Sequence, residues 1–102
     1  MRKSIQEVLQ STGISAAYSH FKKDIKPPFI AYIGSGQSQL LADNTVYKQS
    51  NDYQIEYYFT TKNEEKERKI EKTLLDAGYI YSKSSDVFIK EQDVFVIYYQ
   101  VN

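Results

Sequence analysis

Alternation along the chain is cleanest from Asp52 to Thr60, where Tyr53, Ile55, Tyr57 and Phe59 fall on one side of an extended backbone and Gln54, Glu56, Tyr58 and Thr60 on the other. That stretch predicts a strand with one core face and one wetter face. A different period opens the chain. Ser4-Ile5-Gln6-Glu7 has the spacing of a capping box, Ile5, Val8 and Leu9 fall at i, i+3 and i+4, and Gly13 stands where a left-handed C-terminal cap belongs. A short helix with a single apolar stripe is expected there. Residues 14–28 keep no period and end in Pro27-Pro28, whose missing amides bar a helix or a central strand, so they predict a loop.

Phe29-Ile30-Ala31-Tyr32-Ile33 then reads as a strand stopped by Gly34-Ser35-Gly36, and a weaker strand is expected within Leu40 to Lys48. After the Asp52–Thr60 strand, Thr61-Lys62-Asn63-Glu64 offers a second capping box. Glu64, Glu65 and Glu67 suit the positive end of the helix that follows, Ile70, Thr73, Leu74 and Ala77 trace its core stripe, and Gly78 ends it. Three short strands complete the chain: Tyr79-Ile80-Tyr81, Val87-Phe88-Ile89, and Val94 to Val101. The small polar gaps between them imply antiparallel neighbours. The pattern predicts a single α+β domain over residues 1–102, a mainly antiparallel sheet of about five or six strands with two helices packed on one face.

Composition narrows the chemistry more than the fold. Ten tyrosines and five phenylalanines accompany one histidine, no cysteine and no tryptophan. Tyrosine at this density builds and covers a sheet, because its ring is apolar and its hydroxyl tolerates water. Without cysteine there is no disulfide, thiolate nucleophile or thiolate metal site, which fits a reducing compartment. His20 would have to be the hub of any imidazole relay or metal cluster, and nothing near it completes one. Glu56, Asp86, Glu91 and Asp93 are acids whose spacing selects no catalytic pair, and Gly34-Ser35-Gly36 lacks the Lys-Ser/Thr of a phosphate loop. Neither enzyme activity nor a cofactor is expected.

Thirteen basic residues cancel thirteen acidic ones, so the overall field does not call for a polyanion. The halves differ, since residues 1–48 hold six Lys/Arg against three Asp/Glu and residues 49–102 hold seven against ten. Opposite imbalances of this kind favour head-to-tail attraction between copies. No apolar run approaches the roughly 18 residues of a membrane span, and Met1-Arg2-Lys3-Ser4 leads into an amphipathic segment, so a cytoplasmic, membrane-free protein is expected. The alternative function class is a small nucleic-acid-binding or regulatory protein, with Tyr32, Tyr58 and Tyr81 as a stacking platform and Lys22, Lys23 and Lys26 as its rim. Zero net charge and the missing RNA-recognition signature weigh against a nucleic-acid partner.

Several segments carry a family resemblance: Ala17-Tyr18-Ser19-His20-Phe21, Pro27-Pro28-Phe29-Ile30-Ala31-Tyr32, Ala42-Asp43-Asn44-Thr45-Val46-Tyr47, Asn51 to Tyr58, Thr61-Lys62-Asn63 and the Ile70-Glu71-Lys72-Thr73-Leu74 helix. In order and spacing, over about residues 16–101, they resemble the small proteins encoded between the head-tail connector genes and the major tail protein gene of long-tailed phages and prophages of Gram-positive bacteria. The resemblance implies a tail-completion or tail-terminator protein. Such a virion structural protein forms a homo-oligomeric ring, commonly a hexamer, on the tail tube and joins it to the head-tail connector. It would reside in the host cytoplasm during assembly and then in the virion tail. On that basis the expected protein-interaction residues are Lys22 and Lys23 in the basic loop and Asp43, Asn44 and Tyr47 in the Ala42–Tyr47 segment.

Overall fold

The structure is a computed structural model that describes residues 3–19, 25–42 and 45–102, the side chains of 37–42 and 45–51 excepted. Helix α1 (Ile5–Gln10) begins where the sequence sets its cap: the Ser4 hydroxyl accepts from the Glu7 amide at 3.3 Å. Ile5, Val8 and Leu9 are its buried stripe, and Gly13 takes a φ of +79° in the turn that follows. Buried Thr12 is satisfied within this turn, its hydroxyl donating to the Leu9 carbonyl at 2.6 Å and accepting from the Ile14 amide at 3.2 Å.

Strand β1 (Ser15–Tyr18) corrects the expected loop. Ser-Ala-Ala-Tyr has no alternation to announce a strand; it is extended because it pairs, in parallel, with the start of β2 (Phe29–Ala42). Strand β2 corrects a second expectation, since it does not stop at Gly34-Ser35-Gly36. The chain passes through those residues as a bulge, with a register shift between Gly34 and Gly36 and a φ of +117° at Gly36. The weaker strand placed within Leu40 to Lys48 is the joined ends of two strands: Leu40–Ala42 closes β2, and Thr45–Lys48 opens β3 (Thr45–Phe59).

Helix α2 (Glu64–Asp76) is capped by Asn63, whose side chain accepts from the Lys66 amide at 3.2 Å, and not by Thr61 as the capping-box spacing suggests. Three strands follow: β4 (Tyr81–Lys83), β5 (Val87–Ile89) and β6 (Val94–Val101). The sheet order is β1-β2-β3-β6-β4, with β5 also on β6. Every pairing except β1–β2 is antiparallel, which gives the expected α+β fold with a mainly antiparallel six-stranded sheet.

Registers sort the sheet into two faces. Ile30, Tyr32, Ile55, Tyr57, Phe59, Ile97, Tyr99 and Val101 lie on the inner face and pack with Ile5, Val8, Leu9, Ile70 and Leu74 of the helices. Full burial of each aliphatic side chain there contributes about 1.5–3 kcal/mol. Rings of Tyr57, Phe59, Phe95 and Phe88 continue this face as a stack with centroid spacings of 5.3, 5.5 and 5.0 Å. Neither α1 nor α2 packs on the opposite, outer face, and no other helix occurs among the described residues.

Strand β6 pairs with β3 only from Tyr53 to Phe59, whereas β2 and β3 stay paired with each other from Gly36↔Asp52 to Ala42↔Thr45. A two-stranded ribbon therefore leaves the sheet. At about 3.3 Å per residue the fourteen residues of β2 span about 46 Å, in keeping with the molecule's 50 × 26 × 25 Å extents.

Candidate functional site

Of the expected interaction residues, Lys22, Lys23, Asp43 and Asn44 lie outside the described residues, as does His20. Tyr47 lies in the ribbon half of β3. Leu40 pairs with Lys48 and Leu41 with Val46, so Tyr47 is the extra residue of a second bulge. The suggested tyrosine platform does not form. Tyr32 is buried on the inner face and Tyr81 turns inward to bond Glu71 at 3.3 Å, while Tyr58 stands alone of the three on the outer face. Strand alternation separates them, because Tyr32 and Tyr58 fall on opposite parities of paired strands. Glu56 and Asp86 are also apart: Glu56 sits mid-sheet on the outer face and Asp86 is 3.1 Å from Lys62. Among the described residues no group of three or more His, Asp or Glu side chains is arranged to hold a metal ion.

Two polar constellations stand out instead. The first lies between α2 and the sheet. Glu67 is only 3% exposed, and its carboxylate meets Lys62 at 2.7 Å and Lys83 at 3.0 Å. Lys83 also reaches Glu71 at 2.7 Å, and Glu71 accepts from Tyr99 at 2.8 Å. Burial alone would raise the Glu71 carboxyl, but donation from Lys83, Tyr99 and Tyr81 outweighs it and holds the group below its ordinary value. The same burial and the bond to Glu71 push the Tyr99 phenol far up, so it stays a neutral donor. Beside this network the buried Tyr57 hydroxyl has no hydrogen-bond partner among the described residues. Every ammonium here is matched by a carboxylate. The arrangement fixes α2 and β4 against the sheet.

Nothing in the helix-dipole reading of Glu64, Glu65 and Glu67 anticipates this. The signal was present in the spacing: Glu67 falls three residues before Ile70 and seven before Leu74, on the stripe that faces the sheet.

The second constellation is the outer face. Phe29 stacks on Tyr58 at 4.7 Å. Tyr58 donates to Glu56 at 2.5 Å and Gln54 donates to the other oxygen of the same carboxylate at 3.2 Å. Burial, then the bond to Glu56, raises the Tyr58 phenol. Gln100 crosses the sheet to donate to Ser35 at 2.6 Å, which gives the Gly34–Gly36 bulge a role in fixing this face. Gln54, Ser82, Lys83, Ser84, Tyr98 and Gln100 line a shallow hollow of about 310 Å³. Aromatic rings and amides on this face are locked by bonds to one another. No helix among the described residues is long and apolar enough to cross a membrane. No protein-family model matches the chain, and no curated protein matches it either.

Proposed function

We propose that the chain is a structural subunit of a phage-type tail, one that completes the tail and joins it to the head through a ring of like copies. The observation that carries this reading is the ribbon. From Gly36↔Asp52 to Ala42↔Thr45 two strands pair only with each other among the described residues. A two-stranded ribbon is marginal in water unless something packs on it. By sequence its far end is rich in apolar residues, Leu40, Leu41, Ala42, Val46 and Tyr47. A ribbon of that composition, extending from a packed sheet, suits contact with another protein.

The described residues of the segments that resemble the tail-completion family fall on or beside β1, the start of β2, the far end of the ribbon, β3 and α2. They therefore include the framework and the extension. The outer face adds a rigid aromatic and amide surface of the kind that protein interfaces use.

Inactivating the gene in the phage or prophage that encodes it, then imaging the induced lysate by electron microscopy, tests the proposal. Filled heads and unjoined tails should accumulate, and purified protein added to that lysate should restore joined particles. Normal particles in the mutant lysate would overturn it.

A further inference from the structure

We propose that copies of this chain join head to tail through the two ends of the sheet, β1 of one copy pairing with the β4–β5 edge of the next. This rests on the self-assembly proposed above and names its contact. The sheet order places β1 at one end and β4 with β5 at the other, and no described strand lies outside either. Each end therefore presents backbone groups that a further strand can take.

The hydrogen bonds fix which groups these are. The Ser19 amide donates to the Tyr32 carbonyl at 2.6 Å, so alternation aims the amides and carbonyls of Ser15 and Ala17 at β2 and those of Ala16 and Tyr18 outward. At the other end Ile80 exchanges both bonds with Asn102, and the Ser84 amide donates to the Tyr98 carbonyl at 2.9 Å. Even-numbered residues of β6 thus face this edge. By register Val87 and Ile89 answer Val96 and Val94, which leaves the backbone groups of Tyr81, Lys83 and Phe88 facing outward.

Neither edge contains proline, and among the described residues several of their apolar side chains stand open. Tyr18 is 60% exposed, Val87 39% and Phe88 50%. Open apolar edges are templates for strand addition, and folded proteins usually blunt them. Copies as wholes are complementary in charge, though the edge strands themselves are not, since Ser15–Tyr18 bears none: the half of the sequence that carries β1 has an excess of three basic residues, six against three, and the half that carries β4 and β5 an excess of three acidic ones, ten against seven. Because the two edges differ and terminate opposite ends of one sheet, the contact is heterologous. It continues into a ring or a row, where pairing of like edges would stop at two copies.

Light scattering of the full chain and three variants over a concentration series tests this. Tyr18→Lys spoils one edge, Val87→Lys the other, and Leu75→Lys alters an exposed apolar residue of α2 that belongs to neither edge strand; circular dichroism checks that each variant folds. Wild type and Leu75→Lys should exceed the dimer mass at high concentration, and each edge variant alone should lose the higher-mass species. An equimolar mixture of Tyr18→Lys and Val87→Lys should stop at a dimer, since one sound edge of each kind remains. A wild type that stays monomeric, an edge variant that assembles like wild type, a Leu75→Lys protein that fails to assemble, or a mixture that stays monomeric would each overturn the edge contact. Assembly that survives both edge substitutions sinks this contact while leaving the tail-subunit reading to the lysate experiment.

Discussion

Lys83 Nζ on β4 lies 2.7 Å from Glu71 Oε2 on α2, and the same ammonium is 3.0 Å from the buried Glu67. One lysine from a three-residue strand thus neutralises two carboxylates one helical turn apart. Removing it should hurt more than losing a surface ion pair. Lys83→Met is expected to destabilise the fold by about 2–3 kcal/mol, below the range for a fully buried pair because the lysine is partly exposed. Urea denaturation checks this, and a double-mutant cycle with Glu71→Gln should show coupling above about 0.5 kcal/mol.

The Glu71 carboxyl is held below its ordinary 4.5 in the folded chain, burial being outweighed by its three donors. A depressed folded-state value means that the stabilisation is fully present above the unfolded value and is lost as pH falls through the folded one. Thermal midpoints should therefore drop as pH falls below the ordinary 4.5. Tyr99→Phe and Lys83→Met should each flatten that drop, and an unchanged slope in both would refute the assignment. At the alkaline end burial pulls Lys83 down, but its bonds to Glu71 and Glu67 prevail and leave it above its ordinary 10.5. Its contribution is accordingly complete below that value and fades only as pH rises beyond it.

Asn63, and not Thr61, receives the amide at the start of α2. Asn63→Ala should cost about 1 kcal/mol, and Thr61→Ala should fall within about 0.5 kcal/mol of wild type. Paired denaturation curves decide between the two caps.

Gly36 occupies the bulge with a φ of +117°, and a Cβ there would meet nothing within 4 Å. The penalty for Gly36→Ala is thus backbone strain alone, about 1–2 kcal/mol. Gly34→Ala, two residues earlier, carries no positive φ and would approach only the Tyr18 hydroxyl at 4.0 Å, an ordinary contact. It should be nearly neutral, and equal losses at both positions would contradict the bulge geometry.

Local periodicity carried the strongest elements. Tyr53 to Phe59 alternate so regularly that the strand and its core face follow directly, and Ile5, Val8 and Leu9 give α1 in the same way. Where two local signals compete, sequence separates them poorly: Thr61 and Asn63 both suit a cap, and only the path of the chain out of β3 selects Asn63. Gly34-Ser35-Gly36 reads as a stop because glycine usually ends strands, yet with β3 alongside it the same residues make a bulge and the pairing resumes. The expected interaction residues were drawn from a resemblance, and four of the five lie outside the described residues, so the outer face and the sheet edges come from the fold alone.

By itself the sequence determined the class of fold, the number of helices and the face of each amphipathic element, because side-chain period is a local property that any segment carries with it. Only the tertiary structure decided that Ser15–Tyr18 is a strand, that Glu67 is buried between two lysines, and which strands stand at the ends of the sheet. Those features depend on partners far apart in the chain. Pairing and charge compensation acquire their energy only when the partners meet.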